Sequence, residues 1–376
     1  ALGRKDYDTV HKSSAFGFYC ALISGIVFSL ACTIGKTPLL SLLGADSTTS
    51  EATAAYMLWT VSCGSVPAIL NVVLAYMVRS EGASLHASIG TMSGCLLNII
   101  LDPILILPWG FDMGAEGAGL ATFISNCVAC AYFFVLLYVR RKTTCVCIRP
   151  DKFCLQGAIV LGICGVGIPA AIQNLLNVTG MTILNNFTSV FGEDAVAAMG
   201  ITQKIYMVPM YISMGISQGI MPLISYNYAS GNHRRMKSTI VFAGGISVGF
   251  ITTAAISLFA GADSVVRFFM DNATVAGYGV QFMKGFCIGL PFLCMDFLAV
   301  GVFQALGYGK NALVFAIMRK IVLEIPALYL LNYLFPLYGL AYAQAVAEFV
   351  LAITAAVQLF LIFKRLGEKA DFIEDV

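Results

Sequence analysis

Two carboxyl groups in the second half of the chain lie within long apolar stretches and are the side chains best suited to carry chemistry. Asp296 follows the run GLPFLCM, and Glu348 is the single charged residue between Gly339 and Phe363. An ionisable group in a spanning helix costs roughly 2.5–3.5 kcal/mol, so each one requires a reason. A carboxyl group there can bind a proton or a cation, or can balance the charge of a cationic substrate. The alternative is a packed, hydrogen-bonded or protonated carboxyl group with a structural role only.

Amide side chains gather after a proline in the middle of the chain. Pro169 is followed within about two helical turns by Gln173, Asn174 and Asn177. Proline lacks a backbone donor, so the carbonyl that it frees can be satisfied by a nearby amide or by a bound cation. Further along, Lys204 could pair with a buried carboxyl group or extend to a membrane surface. The candidate residues for transport or cation coupling are therefore Asp296, Asn177, Gln173, Asn174, Lys204, Gln203 and Glu348.

Other polar residues in apolar segments are interpreted as structural. Lys320 and Glu324 are one helical turn apart, so they could form an ion pair or an anchor near the cytoplasmic end of a helix. Asp102 precedes Pro103 near the end of a span, where capping at the membrane interface is favoured over transport. This structural group comprises Arg319, Lys320, Glu324, Asp102 and Asn98.

The sequence contains no set of residues that predicts catalysis or metal binding. Residues 215–219 match the G-x-S-x-G pattern of serine hydrolases, but they lie in an apolar helix rather than in a strand–turn–helix. His11, His86 and His233 all lie in or beside predicted loops, away from that serine. The 12 cysteines lack the spacing of a metal site. We therefore predict no catalytic residue and no metal site, and a membrane-embedded enzyme is the least supported alternative.

The elements that hold these residues are predicted to be membrane-spanning helices. Hydrophobic residues make up 59% of the chain and charged residues 11%, and the mean hydropathy is +0.85. About 20 apolar residues span a bilayer as a helix, and no period-two alternation indicates barrel strands. The predicted fold class is therefore an all-α polytopic membrane protein. Ten spans are predicted, at 13–35, 52–78, 87–107, 118–139, 153–184, 195–226, 238–260, 274–303, 311–334 and 339–363.

The chain contains a two-fold internal repeat. Residues 229–242 resemble residues 1–16, and residues 339–348 resemble 117–126, at a separation of about 225 residues. Such repeats in apolar chains are typical of transporters. The second copy has two apolar spans before its repeat begins, so we expect two further helices to precede Ala1. The chain is then a fragment with four helices in its first lobe and six in its second, unstable and inactive on its own.

The charges of the predicted loops alternate in sign along the chain. Basic connections such as 140–152 and 227–237 alternate with acidic or neutral ones such as 185–194 and 262–273. The positive-inside rule places the basic connections, and both termini, in the cytoplasm. The net charge of +2 predicts no nucleic-acid partner.

Longer segments resemble the multidrug and toxic compound extrusion (MATE) family. GVGIPAAIQNLLNVTG (165–180) with FGEDAVAAMGITQKI (191–205) resembles its seventh and eighth helices. MVRSEGASLHASIGTMSGCLLNIILDPILI (77–106), QGIMPLISYNYASGNHRRMK (218–237) and FQALGYGKNALVFAIMRKIVLEIP (303–326) extend the resemblance over nearly the whole chain. The resemblance implies twelve helices in two six-helix lobes around a central cavity.

On that template the predicted spans are helices three to twelve, related by a pseudo-two-fold repeat. The expected domains are an incomplete N-terminal lobe at 1–139, a cytoplasmic interlobe linker at 140–152, a C-terminal lobe at 153–363 and a cytoplasmic tail at 364–376.

The acidic residues of the family are only partly matched. Its first helix often carries an acid tied to cation coupling, and none of the ten spans corresponds to that helix. One branch has a glutamate on the seventh helix, where this chain has Asn177, and an acid on the tenth helix, in the region of Asp296. The two-carboxylate arrangement of that branch is therefore at most half present.

The resemblance implies a secondary active multidrug exporter that exchanges organic, often cationic, compounds for Na⁺ or H⁺ by alternating access. We expect no cofactor besides the coupling ion, and we expect a monomer in the plasma (inner) membrane whose partners are amphiphilic small molecules and the bilayer. The main alternative is a flippase for a lipid-linked glycan, from the same superfamily. A flippase would be expected to line its cavity with more basic residues than the Lys204, Arg319 and Lys320 available here.

Overall fold

Long apolar segments form long helices in the computed structural model, which describes residues 1–42, 49–270 and 272–374. No strand occurs in these ranges. The chain divides into two compact units, Ala1–Val160 and Leu161–Val376. The predicted domain boundaries at residues 139, 152 and 363 remain predictions.

The first unit is built on four long helical segments whose apolar faces meet in one core. Asp6 begins its first long helix, because the side chain accepts a hydrogen bond from the Thr9 backbone N–H at 3.1 Å. Leu74, Val78 and Phe133 are fully buried in the core. The helices of this unit are α1 (Tyr7–Ile34), α2 (Lys36–Leu42), α3 (Ser50–Met57), α4 (Ser65–Ser80), α5 (Ser84–Ile106) and α6 (Gly114–Val139).

The second unit is organised around one buried helix, α11 (Ala273–Ala305), which packs against α8 (Glu193–Ala229), α9 (His233–Ala260) and α14 (Gly339–Glu374). Phe282, Phe286 and Leu293 of α11 form the centre of its largest apolar cluster. The other helices are α7 (Gly157–Ser189), whose first turn belongs to the first unit, and α8 (Glu193–Ala229), α9 (His233–Ala260), α10 (Ala262–Phe269), α12 (Gly309–Ile317), α13 (Ile325–Leu334) and α14 (Gly339–Glu374).

The described residues contain eight helices that are long and apolar enough to cross a membrane, and a ninth if one bent pair counts as a single span. The bent pair comprises Ser50–Ser62 and Ser65–Ser80, at an angle of 44°. Its break follows a π-helical stretch, Leu58–Ser62, and such stretches are a common cause of kinks. The all-helical membrane fold is thus confirmed, but the count of ten spans is not. The segment predicted as a span at 311–334 is divided among α12, a second π-helical stretch and α13.

The internal repeat is visible in equivalent helix ends. Gly82 follows α4 with φ of 90°, and Gly307 follows α11 with φ of 80°. Only glycine adopts this left-handed conformation without strain, which explains why both copies carry it at the same point of the repeat.

Two predicted connections differ in the structure. The external loop predicted at 262–273 contains α10, a short helix whose Ala262 and Val266 are buried while Asp263 and Arg267 form an exposed ion pair. A segment that is too short to span a membrane can still form a helix with one buried, apolar side, and the loop prediction did not include such a helix. Two acidic residues of connections predicted to be external, Asp46 in 36–51 and Asp271 in 262–273, lie outside the described residues. The predicted tail at 364–376 continues α14 to Glu374, and residues 375–376 lie outside them as well.

Candidate functional site

The buried charges of the described residues all lie in the second unit. Asp296 of α11 is 1% exposed and Glu348 of α14 is fully buried. The other three are Arg319, Lys320 and Glu324, in the segment that joins α12 to α13. A group of five buried charges is costly unless its members are paired or bind an ion, so this is the place to look for function.

A π-helical stretch, Met318–Glu324, carries three of these side chains, and all three are buried. Pro326 contributes to the irregularity, because it lacks the N–H that would bond the carbonyl of residue 322 in an α-helix. Insertions of this type are frequent at functional sites.

Each of the two buried cations has a carboxylate partner. Lys320 Nζ donates hydrogen bonds to Glu324 Oε1 at 2.8 Å and Oε2 at 2.6 Å. Arg319 Nε lies 3.0 Å from Glu348 Oε1, an ion-pair distance, although the two groups are not aligned as a hydrogen bond. The Arg319 guanidinium also lies over the ring of Phe297, 5.4 Å from its centroid.

The carboxyl group of Asp296 has no such partner. Both of its oxygens are buried, and neither accepts a hydrogen bond from an N–H or hydroxyl group of the described residues. Its carboxyl group lies beside that of Glu348, close enough for the two to share a proton, while Arg319 pairs with Glu348. Asp296 faces a small cavity of about 10 Å³ that Gln173 and Asn177 also line, close to the minimum that holds one water-sized occupant. The two amides predicted next to Pro169 thus meet the acid of α11.

A larger cavity of about 220 Å³ lies on the other side of Asn177 and Arg319, which line both cavities. Apolar walls with a few polar groups are typical of small-molecule sites. Its size would hold only part of a drug-sized molecule in this conformation. The apolar part of the wall is mainly methionine and aromatic side chains, and methionine adapts to ligands of different shape. These residues are Met181, Met207, Met210, Met214, Tyr206, Tyr211, Phe286 and Phe297.

Polar groups of this larger cavity are held in place by hydrogen bonds. Gln344 Nε2 donates to the hydroxyl of Tyr206 at 2.8 Å, and Gln203 Nε2 donates to Asn185 Oδ1 at 3.2 Å. Gly180 lets α7 approach the charged pair, since a Cβ there would lie 3.1 Å from Lys320 Nζ.

Six of the seven residues predicted for transport or coupling belong to this site. Asp296, Gln173 and Asn177 share the small cavity, Asn174, Asn177 and Gln203 line the large one, and Glu348 pairs with Arg319. Lys204 does not belong: its side chain is exposed and lines neither cavity. It follows Gln203 directly, and adjacent residues of a helix face different directions, so burying Gln203 turns Lys204 outward.

The residues predicted as structural have two different placements. The Lys320–Glu324 pair is present as predicted, but it lines the larger cavity together with Arg319 and so lies within the candidate site. Asp102 accepts a hydrogen bond from Asn98 Nδ2 at 3.2 Å within α5, in the first unit. That contact accords with a structural role for both, which remains a prediction.

The sequence reasoning missed the apolar wall of the larger cavity. Met207, Met210 and Met214 follow Gln203 at helical spacing on one face of α8, with Tyr206 beside them. A methionine stripe that continues from a polar residue on a spanning helix was the signal available.

Comparison with known proteins places this site in a family. A model of the MatE family matches residues 1–104 and 169–330, together more than half of the chain. The multidrug export protein MepA of Staphylococcus saprophyticus is 34% identical over 380 residues, which cover 99% of this chain and 81% of that relative. MepA of Staphylococcus aureus is 33% identical over 372 residues, with coverage of 97% and 79%.

Solved structures have the same fold. A crystal structure of MATE in complex with MaL6 has a TM-score of 0.90 at 22% identity, over 98% of this chain and 82% of that one. The Vibrio cholerae MATE transporter VcmN in its bent form has a TM-score of 0.86 at 20% identity, over 99% of this chain and 82% of that one.

Proposed function

This chain belongs to the MATE family of multidrug efflux transporters, and on that premise we propose that it exports organic cations in exchange for Na⁺ or H⁺. It is a multi-pass membrane protein and a transporter rather than an enzyme. The exchange proceeds by alternating access in the plasma (inner) membrane, with the protein as a monomer and with no cofactor besides the coupling ion. The substrates are amphiphilic small molecules.

The unpartnered carboxyl group of Asp296 is the observation that supports this exchange. Three buried carboxyl groups face two buried cations, so one negative charge of the group has no protein partner. A buried carboxylate without a partner is unstable, and a bound proton or Na⁺ removes the imbalance. Asp296 is therefore the group that takes up the coupling ion.

The two cavities give this ion a means to influence the substrate. Asn177 and Arg319 line both cavities, so the coupling-ion site and the substrate site share a wall. A cation beside Asp296 repels a cationic substrate across that wall, because charges interact strongly where water is excluded. Uptake of the coupling ion therefore favours release of the substrate, and binding of the substrate favours release of the ion.

The flippase alternative is disfavoured by the same charges. A lipid pyrophosphate requires basic groups that are free to bind it. The buried cations Arg319 and Lys320 are each paired with a carboxylate, and Lys204 is exposed. The five buried charges together contain one more carboxyl group than cations, and this excess favours a bound cation instead.

Dye efflux tests the proposed function directly. Bacteria that lack their own efflux pumps and express the intact gene should accumulate less ethidium, an aromatic cation, than cells with an empty vector. Removal of Na⁺, or collapse of the proton gradient, should identify the coupling ion by restoring accumulation. Unchanged accumulation of several cationic dyes, in cells whose membranes contain the protein, would contradict export of organic cations.

Cysteine labelling tests the membrane topology. Glu193 and Lys142 are both exposed, so reaction at either position reports the side of the membrane. In a cysteine-free background, Glu193→Cys should react with a membrane-impermeant maleimide in whole cells, and Lys142→Cys should react only after permeabilisation. The reason is the charge alternation of the loops. Labelling of Lys142→Cys alone in whole cells would invert the topology.

A further inference from the structure

A third cavity lies in the first unit, and its lining includes none of the proposed transport residues. Its volume is about 1,060 Å³, slightly above the range of about 300–1,000 Å³ found for small-molecule clefts. It is an open cleft lined by the beginning of α1, the end of α6 and the connection that follows α6 up to Lys152. Nothing in the exchange proposed above uses it.

The connection that forms this cavity is fixed to the helices around it. Glu81 Oε2 accepts hydrogen bonds from the Thr144 hydroxyl at 2.7 Å and from the Cys145 N–H at 3.0 Å. The Tyr19 hydroxyl donates to the carbonyl of Ile148 at 3.0 Å. The cavity is therefore a formed site rather than a gap beside a loose connection.

One side of the cavity is strongly basic. Its lining includes five basic side chains and no acidic one. Lys152 is 3.7 Å from Asp8, a carboxylate that it shares with Lys12. Within the part of the chain that the structure describes, the remaining cations of the lining make no salt bridge. The basic residues of the lining are His11, Arg141, Lys142, Arg149 and Lys152.

The other side of the cavity is apolar and belongs to a membrane-spanning helix. Phe134, Val135 and Tyr138 come from the last turns of α6, and Val135 is 61% and Tyr138 70% exposed. The Arg141 guanidinium lies 5.1 Å from the centroid of the Tyr138 ring, so the basic and apolar sides meet there. Exposed apolar residues at the end of a span contact lipid chains, and tyrosine is typical of the membrane interface.

From this arrangement we propose that the cavity binds the headgroup of an anionic phospholipid. Arg141, Lys142 and Arg149 bind the phosphate, because charge-assisted hydrogen bonds from arginine and lysine suit phosphate oxygens. The acyl chains lie along Val135 and Tyr138 of α6. Basic pockets beside spanning helices on the cytoplasmic side bind such headgroups, and the charge of this connection predicts that side. A free phosphate ion would use the basic groups but not the apolar wall.

Lipid competition on the purified protein tests this proposal. A phosphatidylglycerol with a fluorophore on its acyl chain should bind in neutral detergent with increased polarisation. Unlabelled phosphatidylglycerol should displace it, whereas phosphatidylcholine and inorganic phosphate should not. Because each basic group near an anionic headgroup contributes about fivefold to binding, the double variant Lys142→Gln, Arg149→Gln should bind roughly thirtyfold more weakly. Both side chains are exposed, so the variant should fold normally.

A matched variant separates a site from general attraction to positive charge. Arg234→Gln with Arg235→Gln removes the same charge from the first turn of α9, and neither residue lines the cavity. This variant should bind the lipid as the unchanged protein does. Equal weakening in both double variants, or displacement by phosphatidylcholine, would overturn the proposed site. Displacement by inorganic phosphate at the same concentration as lipid would show an ion site and overturn the lipid assignment.

Discussion

Replacing Asp296 with asparagine should lower dye efflux at least about tenfold, equivalent to about 1.4 kcal/mol or more, without lowering the amount of protein in the membrane. The amide has the size of the carboxyl group but cannot exchange a proton or Na⁺. Because neither oxygen of Asp296 pairs with a cation or accepts a hydrogen bond from a protein N–H, the substitution breaks no ion pair and removes an uncompensated buried charge. The thermal stability of the variant should therefore equal or exceed that of the unchanged protein.

A second aspartate within a span provides the matched control. Asp102→Asn makes the same chemical change in α5, where the side chain bonds to Asn98 and lies in the other unit. This variant should export dye at a rate close to normal. Efflux, its pH dependence and its Na⁺ dependence should be measured for both variants at equal expression. Normal efflux by Asp296→Asn, with unchanged pH and Na⁺ dependence, would make Asp296 structural and transfer the coupling role to Glu348 or to the 173–177 turn.

The helices could be predicted from the sequence because membrane spans follow from local composition. Uncharged apolar runs longer than about 20 residues have few alternatives to a helix in a bilayer. The same argument fails where a segment is irregular. The stretch Met318–Glu324 contains three charges and precedes Pro326, and hydropathy alone does not distinguish a π-helical stretch from a regular helix.

The candidate site could be predicted in part, because an acid in an apolar helix is conspicuous in any sequence. Asp296 is such an acid, and Gln173 and Asn177 are marked by the proline that precedes them in an apolar segment. The structure brings all three together around the small cavity. The sequence does not indicate which side of a helix faces the core. Gln203 and Lys204 are neighbours in α8, but packing buries only Gln203. Nor could the sequence supply the pairing of Arg319 with Glu348, which are far apart in sequence and meet only through the packing of α14 beside the π-helical stretch.

Replacing Glu348 with glutamine should lower the stability of the protein, whereas the change at Asp296 should not. Glu348→Gln removes the partner of a buried guanidinium, and breaking a buried ion pair on one side costs about 3–5 kcal/mol. Glutamine is close in size, so the loss reflects charge rather than an unfilled space. The free energy of unfolding should therefore fall by about that amount, and the midpoint of thermal unfolding in one detergent should fall with it.

Two comparisons decide whether this loss comes from the unpaired charge. The double variant Arg319→Met, Glu348→Leu should recover most of the stability, since apolar residues of similar volume can replace a buried pair. Asp263→Asn breaks an exposed pair, in which Arg267 Nε lies 2.8 Å from Asp263 Oδ1, and should not change the midpoint measurably. A Glu348→Gln protein as stable as the unchanged one would mean that the Arg319–Glu348 contact does not hold the second unit together. If instead the double variant is stable but does not export, the pair both stabilises this unit and keeps Asp296 the one carboxyl group free to exchange an ion.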